Sequence, residues 1–444
     1  MDRIEQFVDE IANTISTIGT DDLFMRGQPI SLVSTVIIKL GLDRISEQFA
    51  EIVGVTQLES FYEGCQPNGR TVTLRLGLPL ARTVPTYCAI SESGSLCVDT
   101  QGLCDALRSF ADCVATGVVP YSLSLRLTNF DIENDTELSD GIRFRKISTS
   151  TLKRKYPIES QFVPLSQMER HWANHRIELV VEKQGTAAEL ESWSRIEKSD
   201  AFINSILHSF LLADVPHGNL PSATHFVVSS PIEGHCHYRG QGGMCFTPKV
   251  LTEQELDRVR RAFSLLELSK DDRVLETSID RFVLGPKRGT HHPNRVNQPN
   301  WDKIVDYVIA LETLFLTVEN NAMAQELAYR FRLNGTSLLT RSHFGQPHTI
   351  FTALKSLYEL RSKVVHGCGD ATVLKAANKF IEVLGIDRDQ HKHSIGRIMI
   401  VSEKVEEWIT TLFFVLSEMP VELRPYREKQ GWENMLWAKE EEES

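Results

Sequence analysis

Apolar residues in the last third of the chain recur at the spacing of amphipathic helices. In two segments, beginning at Ile304 and at Val401, successive apolar residues are separated by steps of four, three, four and three. Further helices are predicted over residues 327–338, 350–366 and 373–384. Amphipathic helices joined by short connections form bundles, so the sequence predicts an all-α bundle over 275–425 and a C-terminal tail over 426–444.

The first 270 residues mix helical and strand patterns. The predicted helices, where apolar residues recur at helical spacing, are 4–18, 36–52, 103–115 and 187–212. The predicted strands, which alternate or form short apolar runs, are 71–78, 121–127, 177–181 and 224–228. We therefore predict a mixed α/β region of unknown role over 1–120 and an α+β region over 121–270, which we interpret as a sensor or substrate-selection domain.

Composition and charge favour a cytoplasmic protein without a membrane segment. Apolar residues make up 41% and charged residues 24% of the chain, which is ordinary for a globular protein. The net charge of −11 excludes a general affinity for polyanions, so nucleic acid would have to bind at a local basic site. The N-terminus lacks a signal sequence, and no apolar run is long enough to span a membrane. The eight scattered cysteines contain no CxxC pair and are typical of reduced thiols.

One arginine interrupts the apolar stripe of the helix predicted over 350–366. At about 100° per residue, Ile350, Leu354, Leu357 and Arg361 fall on one face. A buried guanidinium is costly unless it has a carboxylate partner, and otherwise it would wait for an anion. Glu312, beside the apolar stripe of the helix that begins at Ile304, is the obvious partner. Both a structural Arg–Glu pair and an anion-binding arginine remain open at this point.

His366 lies at the end of the same helix, directly before Gly367, which favours a helix stop. The negative end of the helix dipole favours the imidazolium form, which suits a proton donor; a plain capping histidine is the alternative. His366 follows Arg361 by five positions, so an unbroken helix places their side chains about 140° apart. The two side chains could share one small site only if the final turn unwinds.

The segment Leu357-Tyr-Glu-Leu-Arg-Ser-Lys-Val-Val-His-Gly resembles the signature of the HEPN superfamily, an arginine followed after four to six residues by a histidine. It is most similar to the ApeA-like branch. Supporting similarity lies in residues 278–282, 302–315 and 326–333, so the resemblance covers about 275 to 420. The usual residue after the arginine in this family is Asn, Asp or His, and here it is Ser362.

With the patterns above, the predicted fold is an α+β N-terminal and middle region followed by an all-α HEPN-type helical bundle. The resemblance implies that this bundle acts as a metal-independent endoribonuclease. In such enzymes the ribose 2′-OH attacks its own phosphodiester and leaves a 2′,3′-cyclic phosphate and a 5′-OH. Arg361 would clamp the phosphate and His366 would act as general acid or base, with Ser362 and Glu312 behind them. No metal and no cofactor is expected. The resemblance also implies a homodimer formed through the bundle, which would bring two arginines and two histidines into one cleft.

The same resemblance suggests a toxin or an anti-phage abortive-infection effector that cleaves RNA, with tRNA as one candidate substrate. A phage-derived or small-molecule trigger would act on the N-terminal region. Two alternatives from other classes stay open. One is a catalytically silent HEPN scaffold that only dimerises or binds RNA. The other is a ligand-binding regulator in which Arg361 forms a structural ion pair.

Basic residues outside the motif are further candidates for contact with RNA. Lys287, Arg288 and Arg295 lie in a Gly- and Pro-rich segment, 285–295, that is predicted to be a loop, and Lys363 follows the motif arginine. A merely solvated loop explains the same composition.

A zinc site formed by His235, Cys236, His237 and Cys245 is disfavoured. Adjacent residues point in different directions, and no second spaced pair completes a tetrahedral site.

Overall fold

The structure of this protein is a computed structural model that describes part of the chain. The described residues are 2–18, 24–25, 28–29, 40–62, 80, 83–84, 87–90, 96–147, 177–193, 195–213, 221–231, 234–238, 249–288, 301–316, 324–387, 394–427, 431–432 and 435. They divide into two units, one within 1–207 and 218–252, the other within 208–217 and 253–444.

The first unit contains both helices and strands. Its helices are α1 Arg3–Ser16, α2 Leu42–Val53, α3 Val55–Phe61, α4 Thr100–Thr116, α5 Ala187–Ser192 and α6 Ile196–Leu212, of which the last runs on into the second unit. Its strands are β1 Phe24–Met25, β2 Gln28–Pro29, β3 Cys88–Ile90, β4 Leu96–Val98, β5 Val119–Thr128, β6 Phe130–Asp131, β7 Thr136–Ser139, β8 Ile142–Lys146, β9 Ile177–Gly185, β10 Ser222–Ser229, β11 Gly234–Tyr238 and β12 Lys249–Val250.

The second unit is helical in its described residues. Its helices are α7 Glu253–Ser269, α8 Arg273–Arg288, α9 Trp301–Phe315, α10 Ala324–Arg341, α11 Pro347–Val365, α12 Asp370–Val383 and α13 Ser394–Glu418, followed by a short 3-10 helix, Val421–Leu423. The prediction of a mixed α+β part followed by a helical part is therefore confirmed at this coarse level. The strand predicted over 71–78 and the start of the helix predicted over 36–52 lie outside the described residues.

A six-stranded antiparallel sheet forms the centre of the first unit, in the order β11-β10-β5-β9-β8-β7. One face is apolar because alternate residues of the strands point to it. Leu125 of β5 is the neighbour of Phe226 of β10, whose ring packs against Trp193 and Phe202 at centroid distances of 6.2 and 6.1 Å. The predicted helix over 187–212 is thus two helices, α5 and α6, with Trp193 between them.

The other face of the sheet is polar, and it is also buried in the middle. Arg126 of β5 and Glu178 of β9 are paired in register and are both fully buried. The guanidinium of Arg145 on β8 lies 2.8 Å from the Glu178 carboxylate. The period-two pattern predicted a half-buried strand at 121–127. The strand itself is confirmed, but both of its faces are buried in the middle, and the buried Glu178 on the polar face has Arg145 as its ion-pair partner.

The core of the second unit is built around α9. Ile304, Val308, Leu311 and Phe315 of the stripe predicted from the sequence are fully buried, and its last member, Val318, lies outside the described residues. This helix packs against α8, α11 and α13. The steps of four and three therefore identify the face of α9 that points into the core.

The predicted loop beginning at Gly285 is wrong for residues 285–288, which form the end of α8. A β-carbon at Gly285 would lie 2.6 Å from the Tyr307 ring, so the glycine allows α8 to approach α9 closely. Pro286 falls in the last turn, where its missing N–H removes a hydrogen bond only near the helix end. The glycine thus meets a packing requirement between two helices, and it does not form a turn.

The chain after α13 packs onto the bundle where it is described. Trp432 is buried and lies 6.5 Å from the Phe315 ring, and the Arg341 guanidinium donates to the backbone carbonyl of Met435. The acidic residues from Lys439 onward, interpreted from the sequence as a solvated tail, lie outside the described residues.

Candidate functional site

Arg361 projects from α11 toward α9 at the edge of the core. Its stripe neighbours Ile350, Leu354 and Leu357 are fully buried, whereas the Arg361 side chain is 28% exposed. The Arg361 Nη2 lies 3.4 Å from the Glu312 Oε2 on α9, and the Glu312 side chain is 17% exposed. The structure therefore brings together the arginine and the carboxylate that the sequence picked out as partners.

The contact between Arg361 and Glu312 is a loose ion pair. A charge-assisted hydrogen bond between such groups is usually about 2.7–2.9 Å long, shorter than the distance here. The Arg361 Nε is buried and has no hydrogen-bond partner among the described residues. A guanidinium has five N–H donors, so most of its donor capacity is left for another acceptor. Carboxylate and phosphate oxygens are the acceptors that match a forked, permanently charged donor group.

Burial controls the acidity of the groups around Arg361. It raises the pKa of the Glu312 carboxyl, and the positive charge of Arg361 opposes that rise. Burial also raises the pKa of the Tyr358 hydroxyl; the charge of Glu312 raises it further, and Arg361 again opposes. Tyr358 therefore belongs to the same electrostatic cluster. The sequence interpretation did not single it out, although a residue three positions before Arg361 lies on a neighbouring part of the same helix face.

His366 ends α11 and is exposed to solvent. Its backbone φ and ψ are −83° and 7°, and its amide donates to the Ser362 carbonyl. The helix continues without a break through Val365, so the final turn does not unwind. The side chains of Arg361 and His366 accordingly leave the helix about 140° apart. One chain does not direct both groups at a single small site.

Gly367 closes the helix in a left-handed conformation, with φ of +68°. Its amide donates to the Val364 carbonyl and the next amide, of Cys368, donates to the Lys363 carbonyl, which is the Schellman pattern. This turn fixes the backbone position of His366 at the end of the helix. Ser362 and Lys363 are both half-buried, and their carbonyls accept the bonds that hold the turn.

Replacing Gly367 with Ala is expected to lower the free energy of unfolding by about 1–2 kcal/mol, because a side chain disfavours the left-handed backbone. Gly367→Asn is the matched control, because Asn tolerates this conformation and should lose less. Urea unfolding of the two variants measures the difference. Equal losses for Ala and Asn would contradict the assigned helix end.

The basic residues predicted to contact RNA are only partly described. Lys287 and Arg288 are the last two residues of α8, and Arg295 lies outside the described residues. Lys363 stands two positions after Arg361 on α11. Two positions along a helix correspond to about 200°, so the structure does not place the Lys363 side chain on the Arg361 face of α11.

Within the described ranges, no three His, Cys, Asp or Glu side chains are arranged to hold a metal ion. His235, Cys236 and His237 lie on β11, and Cys245 falls outside those ranges. In the same part of the chain, no helix is both long and apolar enough to cross a membrane.

Comparison of this chain with models of protein families, with curated proteins and with solved structures finds no match. The function of the protein is therefore inferred from its own side chains and from the resemblance of its motif.

Proposed function

We propose that this protein is a metal-independent endoribonuclease of the HEPN type. The observation that carries the proposal is the state of Arg361. It is held at the edge of the core by a loose contact to Glu312, and 28% of its side chain is exposed, so part of the guanidinium can be reached from solvent. An arginine that is anchored but not saturated is suited to receive a phosphate group.

The proposed reaction needs charge stabilisation and proton transfer, which these residues supply. The ribose 2′-OH gives up its proton and attacks the adjacent phosphorus, and the 5′ oxygen leaves with a proton. Arg361 stabilises the negative charge that builds up on the phosphorane oxygens. His366 moves a proton to or from a reacting oxygen, a role that imidazole side chains commonly fill. The products are a 2′,3′-cyclic phosphate and a 5′-OH.

The active unit in this proposal is a homodimer formed through the C-terminal bundle. Arg361 and His366 of one chain diverge by about 140° around an unbroken helix, which argues against a site made by one copy. Both residues lie within the last five positions of α11 and its cap, where a two-fold axis would bring the arginine of one chain to the histidine of the other.

Other residues have supporting roles in the proposal. Glu312 positions Arg361 through the ion pair, and Ser362 supports the helix end that carries His366. Lys363 contacts the RNA backbone, together with the basic segment of Lys287, Arg288 and Arg295.

In the cell, we place the protein in the cytoplasm as a toxin or anti-phage effector. Its substrate would be RNA, with tRNA as one candidate. The α+β unit would receive a phage-derived or small-molecule trigger.

Incubation of the pure protein with total RNA in excess EDTA tests the reaction. Cleavage is expected, and analysis of the fragment ends should find cyclic phosphate on one side and free 5′-OH on the other. Ends carrying 5′-phosphate, or strict dependence on magnesium, would rule out the proposed mechanism.

Mixing two inactive variants tests the shared site. Chains with Arg361→Ala and chains with His366→Ala are each expected to be inactive alone. After equal mixing and subunit exchange, about half of the dimers are mixed and each has one intact site, so about one quarter of wild-type cleavage should return. The fragments released per unit time measure it. If the mixture remains inactive while co-purification of differently tagged chains shows mixed dimers, the arginine and histidine do not come from different chains.

A second candidate function is a non-catalytic bundle that dimerises or binds a ligand. The ion pair between Arg361 and Glu312 favours it, because a buried carboxylate can hold an arginine for purely structural reasons. Under this proposal the wild-type protein leaves RNA intact in EDTA. Arg361→Ala would then lower stability, because it leaves the partly buried Glu312 charge without a partner.

A further inference from the structure

Three aromatic side chains form a row along α10 and α11. The rings of Tyr329 and Phe351 lie 6.3 Å apart in an edge-to-face arrangement. Tyr358 follows Phe351 by seven residues, two turns further along the same side of α11. Tyr329 is 51% exposed, and Phe351 and Tyr358 are partly exposed. This aromatic row, defined by Tyr329, Phe351 and Tyr358, ends three residues before Arg361.

A second arginine stands at the far end of the row. The guanidinium carbon of Arg332 lies 5.1 Å from the centre of the Phe351 ring and 5.7 Å from that of Tyr329. Its Nε donates to the carbonyl of Ala328, one turn earlier. Among the described residues, no carboxylate lies within ion-pair distance of Arg332. The aromatic faces and the carbonyl therefore orient this charge without neutralising it.

The two helices that carry the row are basic, in a chain whose net charge is −11. Together α10 and α11 contain six Lys and Arg residues and two Glu residues. Both glutamates have a cation of their own: Glu326 lies 2.7 Å from Arg330, and Glu359 lies 3.5 Å from Lys379 on α12. Lys355, one turn after Phe351, is exposed. The row is thus a local surface to which a polyanion is attracted.

We infer that the aromatic row is a stacking track for the bases of single-stranded RNA, with Arg332 bound to a backbone phosphate. Aromatic rings with accessible surface beside an arginine that has no carboxylate partner, as Arg332 is among the described residues, are typical of sites that bind single strands without reading their sequence. Phe351 and Arg361 are about 15 Å apart along α11, a distance that a few extended nucleotides span. The inference rests on the proposed ribonuclease function, and it adds that the substrate is unpaired near the cleaved bond.

A non-cleavable strand tests the row separately from the chemistry. A labelled 2′-O-methyl RNA of about ten nucleotides has no free 2′-OH, and its affinity for the full-length dimer is measured by fluorescence anisotropy. Tyr329→Ala should weaken binding about 5- to 100-fold, whereas Tyr329→Phe should bind like the wild type. Arg332→Gln should lower the slope of binding against salt by about one charge. Arg330→Gln, on the same helix but already paired, is the matched control and should have little effect.

An abasic strand then distinguishes stacking from other causes. Without bases the strand binds less tightly, and Tyr329→Ala should cause almost no additional loss. An equal loss on normal and abasic strands, or unchanged affinity of Tyr329→Ala for the normal strand, would overturn the inference. So would a Tyr329→Ala protein that becomes monomeric in sedimentation, because the row would then be a protein interface.

The two proposals fail in different ways. If wild type binds the strand through Tyr329 but leaves unmodified RNA intact in EDTA, the ribonuclease proposal is wrong and the row stands as an RNA site. If wild type cleaves RNA and Tyr329→Ala binds normally, the row is wrong and the ribonuclease proposal stands.

Discussion

Replacing Arg361 or His366 with Ala is expected to reduce RNA cleavage in EDTA by about 100-fold or more. Arg361→Ala removes the donors that stabilise the phosphorane, and His366→Ala removes the group that moves the proton. Initial rates on a labelled single-stranded RNA measure both effects. Circular dichroism should show an unchanged helical signal, because the side chains are partly or fully exposed.

Two further variants separate the chemistry from the structure. Arg361→Lys keeps a positive charge beside Glu312 but loses the forked donors, so cleavage should fall while stability changes little. His348→Ala removes another exposed histidine of α11, at the opposite end of the helix from His366, and should leave cleavage unchanged. Full cleavage by Arg361→Ala or by His366→Ala would remove the replaced residue from the proposed mechanism.

The helices of the second unit could be predicted because each helix turns one apolar face toward the core of the bundle. Steps of four and three located α9, whose described stripe residues are fully buried. The prediction from glycine and proline content was wrong where a glycine allows two helices to pack closely and does not form a turn. The sequence predicts a loop at Gly285, but this residue lies inside α8. A glycine is needed there because a β-carbon would collide with the Tyr307 ring. Which neighbour a glycine faces depends on a second helix, and one segment of sequence does not contain that information.

The β-sheet shows a similar limit. Alternation identified β5, but it suggested that the polar side faces water. Arg126 and Glu178 are instead fully buried, and the Glu178 carboxylate is paired with Arg145 from the next strand. Strand order and register determine this pairing, and both depend on residues far apart in the chain.

The candidate site was partly predictable because some of its geometry follows from a single helix. A charge on an apolar stripe needs a partner, and this requirement predicts Glu312 as the candidate partner of Arg361, which is where the structure has it. The divergence of Arg361 and His366 also follows from helix geometry alone. The aromatic row and Arg332 beside it were not predicted, because these side chains come together only when α10 and α11 pack side by side.

A buried cluster around Asp272 holds the chain after α13 to the start of α8. The Asp272 Oδ2 lies 2.6 Å from the Arg424 Nη1 and accepts a hydrogen bond from the Tyr426 hydroxyl at 3.0 Å. The other carboxylate oxygen, Oδ1, accepts from the amides of Val274 and Leu275 in the first turn of α8. The side chains of Asp272 and Arg424 are 2% exposed. One carboxylate thus caps a helix and neutralises a buried arginine.

Replacing Asp272 with Ala is therefore expected to lower the free energy of unfolding by about 3–5 kcal/mol, because it leaves the Arg424 charge buried without its partner. Asp272→Asn should lose somewhat less, since its amide oxygen can still cap α8. Urea unfolding followed by circular dichroism gives the difference. Asp271→Asn, at the exposed neighbouring position, is the matched control and should change stability by less than about 0.5 kcal/mol.

Acid should remove this contribution in the wild-type protein. Burial by itself raises the pKa of Asp272, but the hydrogen bonds from Arg424, the Leu275 amide and Tyr426 outweigh it, and the pKa lies below its ordinary value. A carboxyl whose pKa is lowered by folding stabilises the fold above its unfolded pKa, about 3.9, and loses that effect as the pH falls through the folded value. The stability gap between wild type and Asp272→Asn should be constant near neutral pH and narrow below about pH 4. A gap that stays constant into strong acid would show that the Asp272 charge does not stabilise the fold.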